Sequence, residues 1–252
     1  MVTRQTILDT LRAALEPLDH VRAAFLAGSD AFGRADRWSD IDVSCVAPLS
    51  SAPEIFGAVE TALTKISPIL HQLEMPESGL WPELAQRFYR LAGTDEFLII
   101  DLCVLTQAQL RTFLEPTRHG VPVVWIDRDG LVAPVPLDRA AHDAALMARL
   151  AALRSSFPMF QTLARKAVLR GDTVEAMAMW IAHTMRPLVE LLRMRHCPER
   201  YDFGFRYTGY DLPAEVAGEL ADLMWPRDGD DLLTKLDRAA ELFARTSSEL
   251  PR

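Results

Sequence analysis

LAGSDAFGRADRWSDIDVSCV, residues 26–46, is the stretch whose reading decides the fold. It sets Gly28-Ser29 after an apolar run and, ten residues later, opens another apolar run with Asp40-Ile41-Asp42. Side chains of an extended chain alternate faces, so Asp40 and Asp42 point one way while Ile41 and Val43 face a core. Like charges that close repel unless something positive lies between them: solvent, or a metal. A plain alternative has equal weight here. Asp40 could cap a strand entrance and Asp42 could pair with an arginine. Gly28 lets backbone approach a ligand closely, and exposed N–H groups at such a turn can cradle a phosphate. Gly33-Arg34 offers a second tight approach. The alternative for both is a glycine turn between strand and helix.

Working outward, Ile7, Leu8, Leu11, Leu15 and Leu18 fall at helical spacing, so 5–18 reads as an amphipathic helix. Residues 23–27 and 40–48 read as strands, the second stopped by Pro48. Residues 52–66 read as a helix with Pro53 at its start, and 69–75 as a third strand. The segment 75–83 reads as a loop from its Pro, Gly and Ser. Residues 86–106 read as two strands joined at 93–96, and 121–135 as another pair turning at 127–130.

Asp101 adds weight to the metal reading. It lies in FLIIDLCVL, and such apolar runs are strands buried on both faces. A carboxylate there is costly unless paired or metal-bound. Its flanks, Ile100 and Leu102, repeat the pattern of Ile41-Asp42-Val43. If the two strands are neighbours, three carboxylates converge, and hard oxygen ligands suit Mg²⁺.

Beyond about residue 138 β-branched runs vanish. Residues 139–170 read as helical, broken or kinked near Pro158. Asp172 and Glu175 read as a capping-box start for a helix over 173–196, kinked near Pro187. An aromatic-rich loop, 197–213, precedes helices over 214–224 and 229–247. The boundary of the two halves falls near 135–140.

The 252 residues carry 49% hydrophobic and 25% charged residues, an ordinary soluble composition. A net charge of −8 argues against nucleic-acid backbone binding, which needs clustered Lys and Arg. Cys45, Cys103 and Cys197 lack metal spacing and read as reduced thiols in a cytoplasmic protein. The N-terminus lacks the apolar core of a signal peptide, and no apolar run reaches membrane-spanning length.

Gly28-Ser29, Asp40-Ile41-Asp42 and then Asp101 between hydrophobics, in that order, resemble the DNA polymerase β-like nucleotidyltransferase superfamily. The likeness covers about residues 20–106, and AFGRADRWS is similar to a segment of its bacterial members. It implies an α/β (α+β) fold, a mixed β-sheet with flanking helices over 1–137, followed by an all-α helical bundle over 138–252. The bundle resembles, in layout, that of aminoglycoside-type nucleotidyltransferases. The Arg-x(4–6)-His signature of toxin-associated helical partners is absent, which speaks against a ribonuclease role.

The resemblance implies Asp40, Asp42 and Asp101 as catalytic and metal-binding residues for two Mg²⁺ ions. It implies that Gly28 and Ser29 hold the triphosphate of ATP or another nucleoside triphosphate. Two such ions would stabilise entering and leaving oxygens of an in-line displacement. The base is Asp101 or one of Glu74, Glu77, Asp172 and Glu175. A strand end explains Glu74 and Glu77 as well, and capping explains Asp172 and Glu175 better. Arg34, Arg37 and Lys166 are expected to meet the phosphates, with Arg170 and Arg206 as weaker candidates. Trp180, Tyr201, Phe203, Phe205, Tyr207 and Tyr210 could stack on a ligand, although packing the loop explains each better. The expected partners are the nucleotide and a small-molecule acceptor, with no nucleic acid and no membrane. Transfer to a protein or tRNA, and a silent nucleotide-binding sensor, are the alternatives.

Overall fold

The alternation in IDVSCV becomes strand β2, Ile41–Val46: in the computed structural model Ile41, Val43 and Cys45 are buried and Asp42 only half so. The structure describes residues 1–76 and 84–251. The chain separates into two units, Met1–Leu137 and Asp138–Arg252. The expected 75–83 loop thus lies mostly outside the described residues, and Glu77 wholly so.

In the first unit β2 joins β1 (Ala23–Leu26), β3 (Ile69–Glu74), β4 (Leu84–Leu91), β5 (Ile100–Leu105) and β6 (Val123–Asp127). They form one six-stranded sheet in the order β3-β4-β5-β2-β1-β6. Only β2 and β5 run parallel; the other neighbours are antiparallel.

Helices α1 (Arg4–Leu15) and α3 (Ala52–Ile66) cover one face. Ile7, Leu11 and Leu15 of α1 and Ile55, Val59 and Leu63 of α3 pack on Ile41, Val43, Ile100 and Leu102. Each such side chain removed from water contributes about 1.5–3 kcal/mol. The opposite face has a smaller core of Ala23, Phe25, Val46 and Leu105. Leu110 of α4 (Gln107–Phe113) and Leu114 complete it. That core sits at the C-terminal end of β2 and β5. Their N-terminal ends, on the same face, carry Asp42 and Asp101.

Two expectations are corrected in this unit. Strand β5 is not buried on both faces: Ile100, Leu102 and Val104 are buried, but Asp101 and Cys103 are half-buried. Residues 121–135 supply one strand rather than two. The Asp127 carboxylate accepts from Leu131 N (2.7 Å) and Val132 N (3.1 Å), holding the chain in a turn after β6. Helices α4 and α5 (Pro116–His119) were not foreseen, being short and weakly periodic. A four-residue helix α2 (Gly28–Ala31) leads away from β1.

The second unit is all-helical: α6 (Arg139–Leu169), α7 (Thr173–Trp180), α8 (Arg186–His196), α9 (Thr208–Asp211), α10 (Ala214–Met224) and α11 (Gly229–Glu249). Helix α6 runs unbroken through Pro158. Helices α7 and α8 are joined by a π-helical turn, Ile181–Met185. Pro187 has no N–H for the carbonyl of His183, four residues back. Gln161 Nε2 donates to that carbonyl (3.1 Å), while its Oε1 accepts from Thr184 Oγ1 (2.8 Å). A neighbouring side chain thus replaces the missing bond, and the helical path continues.

The mixed sheet with flanking helices, followed by a helical region, is the fold class expected from the sequence. No helix of the described residues is long and apolar enough to cross a membrane.

Candidate functional site

The parallel pairing of β2 and β5 sets Asp42 directly beside Asp101, with Ser44 beside Cys103. Both carboxylates lie on the sheet face away from α1 and α3. Gly28 crosses in front of Asp42. Its φ is +55°, and a Cβ there would fall inside the contact radius of Asp42 Oδ2. Ala27 N donates to Asp42 O (2.9 Å), fixing the turn on β2. Beside Gly28 the Ser29 hydroxyl is buried, with no hydrogen-bond partner among the described residues.

Gly28→Ala is therefore expected to cost at least about 2 kcal/mol, combining left-handed strain with the clash. Gly33 also has a positive φ, +63°, but nothing lies within 4 Å of its would-be Cβ. Gly33→Ala should cost only about 1 kcal/mol. Chemical denaturation of the pair separates the clash from the strain.

Asp40 precedes β2, and its Oδ1 accepts from Ile99 N (3.3 Å) at the entrance of β5. Its carbonyl accepts from Arg4 Nη2 (3.0 Å). The same guanidinium forks onto Asp30, Nη1 to Oδ1 at 3.2 Å and Nη2 to Oδ2 at 2.7 Å. Arg4 thereby ties α1 to α2 and to the start of β2, a role the sequence did not suggest.

Asp101 is held by Gln86 of β4, whose Nε2 lies 2.8 Å from one carboxylate oxygen and 2.9 Å from the other. Burial pushes the Asp101 carboxyl up to about 6; Gln86 opposes the rise, and the charges of Asp42 and Asp40 add to it. Asp101 therefore senses the negative charges of Asp42 and Asp40. Among the described residues, no three His, Cys, Asp or Glu side chains are assembled in ligating geometry. Asp40 is turned to Ile99 and Asp101 to Gln86.

A carboxyl whose folded value exceeds its ordinary 3.8 favours the folded state below that value and loses this contribution as pH rises through about 6. In the cation-free chain, Asp101→Asn should therefore raise stability at pH 7. The full shift corresponds to about 3 kcal/mol, and partial exposure reduces the gain to about 1–2 kcal/mol. The gain should disappear by about pH 4. Urea denaturation of both chains between pH 4 and 7.5 checks it.

The remaining candidates are dispersed. Arg34 stacks on the Phe32 ring, 4.8 Å from its centroid. Arg37 stacks on Trp38 at 4.0 Å, and Trp38 meets Phe97 edge to face at 5.2 Å. Lys166 and Arg170 are exposed in the second unit. Arg206 donates to the Tyr207 hydroxyl (3.0 Å). Glu74 accepts from Arg87 Nε (2.9 Å), and Arg87 also reaches Glu60 (2.7 Å). Glu74 pairs with Arg87 and Arg87 with Leu102, so Glu74 lies on the α1/α3 side. It is not brought to Asp101, which corrects its candidacy as a base. Asp172 caps α7 through Glu175 N (2.9 Å), the structural reading of that pair.

No protein-family model matches the chain, and no curated protein matches it. Among solved structures it is similar to an aminoglycoside 6-adenyltransferase from Bacillus subtilis. The two share 14% identity over 98% of this chain and 90% of that one, with a TM-score of 0.38.

Proposed function

We propose that this chain is a Mg²⁺-dependent nucleotidyltransferase that moves a nucleoside monophosphate, AMP from ATP, onto a hydroxyl of a small molecule. One observation carries the reading: Asp42 and Asp101 occupy neighbouring positions of two parallel strands, and Gly28, which admits no side chain, packs on Asp42. The donor set fits a hard divalent cation, because two carboxylates stand side by side and the charge of Asp42 adds to the proton affinity of Asp101.

Asp42 and Asp101 would hold the cation, with Asp40 joining from the strand entrance. Bound there, Mg²⁺ supplies positive charge to the triphosphate and to the pyrophosphate as it leaves. Gly28, having no side chain, lets the Asp42 carboxylate lie against the turn that would carry the phosphates. Ser29, buried and unpaired, has a hydroxyl to donate to one of them. Asp101, facing the same site, is the group placed to take the acceptor's proton. Arg34 and Arg37 stay in this reading as phosphate contacts. The net charge of −8 suits an acceptor bearing amino groups, as an aminoglycoside does.

Incubation with α-labelled ATP, Mg²⁺ and a panel of aminoglycosides and other polyhydroxylated amines tests the proposal. Label should appear on a small molecule and pyrophosphate should be released. Label confined to protein or tRNA would replace the acceptor class. Tight ATP binding without transfer to any acceptor would make the chain a nucleotide sensor.

A further inference from the structure

Gln86 is the residue at this site that the proposed chemistry leaves without a role. Its Nε2 is almost equidistant from the two Asp101 oxygens, at 2.8 and 2.9 Å. A donor so placed lies on the bisector of the carboxylate and covers the lone pairs that face each other across it. Those are the lone pairs a chelating cation would take. The bond is charge-assisted and half-buried, so it is stronger than a neutral one at the surface.

We propose that Gln86 is a positioning residue that competes with the cation for Asp101. It holds the carboxylate in the cation-free chain and yields it when the cation arrives. Gln86 therefore lowers the affinity of the site and makes cation binding and the movement of β4's side chain one event. The inference rests on the metal reading of Asp42 and Asp101, and the test separates the two.

The test is titration of the full chain with Mn²⁺ alone, free Mn²⁺ being read by electron paramagnetic resonance. It compares native protein with Gln86→Leu, Gln86→Asn and Asp42→Asn, each checked for native circular dichroism. Gln86→Leu removes the donor. Gln86→Asn keeps an amide one methylene too short, so it guards against a packing defect in the first variant. Both should bind Mn²⁺ roughly fivefold or more tightly than native, the scale of a hydrogen bond to a charged group. Structural damage would move affinity the other way. Unchanged or weaker binding in both Gln86 variants, with binding lost in Asp42→Asn, overturns the role of Gln86 and leaves the metal site standing. Native-like binding in Asp42→Asn overturns the metal site, and this inference with it.

Discussion

Asp42→Asn is expected to lower nucleotidyl transfer at least about a thousandfold while the chain stays folded. The substitution keeps the size of the side chain and removes its charge. Asp42 lies at the half-buried end of β2, opposite the face that packs on α1 and α3, so the core does not feel the change. A cation that neutralises transition-state charge is worth several kcal/mol, and a thousandfold loss corresponds to about 4 kcal/mol. Thermal stability without cation should be unchanged or slightly raised, since the repulsion between Asp42 and Asp101 is relieved. Transfer assays beside thermal melts of the same preparations check both halves. Full activity in the variant would remove Asp42 from the chemistry.

The largest stability effect is expected at Arg193 of α8, in the second unit. Its side chain is fully buried, as is that of Asp211, to which Nη1 donates at 2.8 Å. Nε donates to Gly204 O (2.7 Å), Nη1 also to Arg200 O (3.3 Å), and Nη2 to Arg206 O. One guanidinium thus closes the loop between α8 and α9 onto the bundle. Arg200 reaches the other Asp211 oxygen (2.6 Å). Arg193→Met leaves a buried carboxylate short of its main partner and several carbonyls unpaired, at a cost of about 3–5 kcal/mol. Arg193→Lys should recover only part, because an ammonium cannot fork onto acceptors in these directions. Adding Asp211→Leu to Arg193→Met should recover part as well, by removing the stranded charge. Urea denaturation followed by circular dichroism measures all three. A loss under about 1 kcal/mol in Arg193→Met would mean the loop is anchored otherwise.

Much of the first unit was legible because its signals are local. Alternation in IDVSCV and the helical spacing of Ile7, Leu11 and Leu15 each report one element's own face. Pro53 marked the start of α3. The neighbour relation of Asp42 and Asp101 was legible only as a condition, since parallel pairing is a tertiary fact. The matching flanks of the two residues nonetheless pointed to it.

What the sequence hid depends on cross-strand and cross-helix partners. Gln86 looked like an ordinary polar position in a strand. Its role follows from the pairing of Phe88 with Asp101, which sets Gln86 diagonally across from that carboxylate. Glu74 seemed close to the site in sequence, yet strand register put it on the other face with Arg87. Arg193 sat among the basic residues of LLRMRH, and nothing local marked it as the buried one. Pro187 suggested a kink, and only the position of Gln161 shows how the helix passes it.

The most direct measurement is a crystal structure of the chain with Mn²⁺ and a non-hydrolysable ATP analogue, the metal located by anomalous scattering. The account predicts a metal peak bonded to Asp42 and Asp101, with the triphosphate lying against Gly28 and Ser29. A nucleotide bound elsewhere, or a metal peak absent from these two carboxylates while Asp101 stays on Gln86, would contradict it.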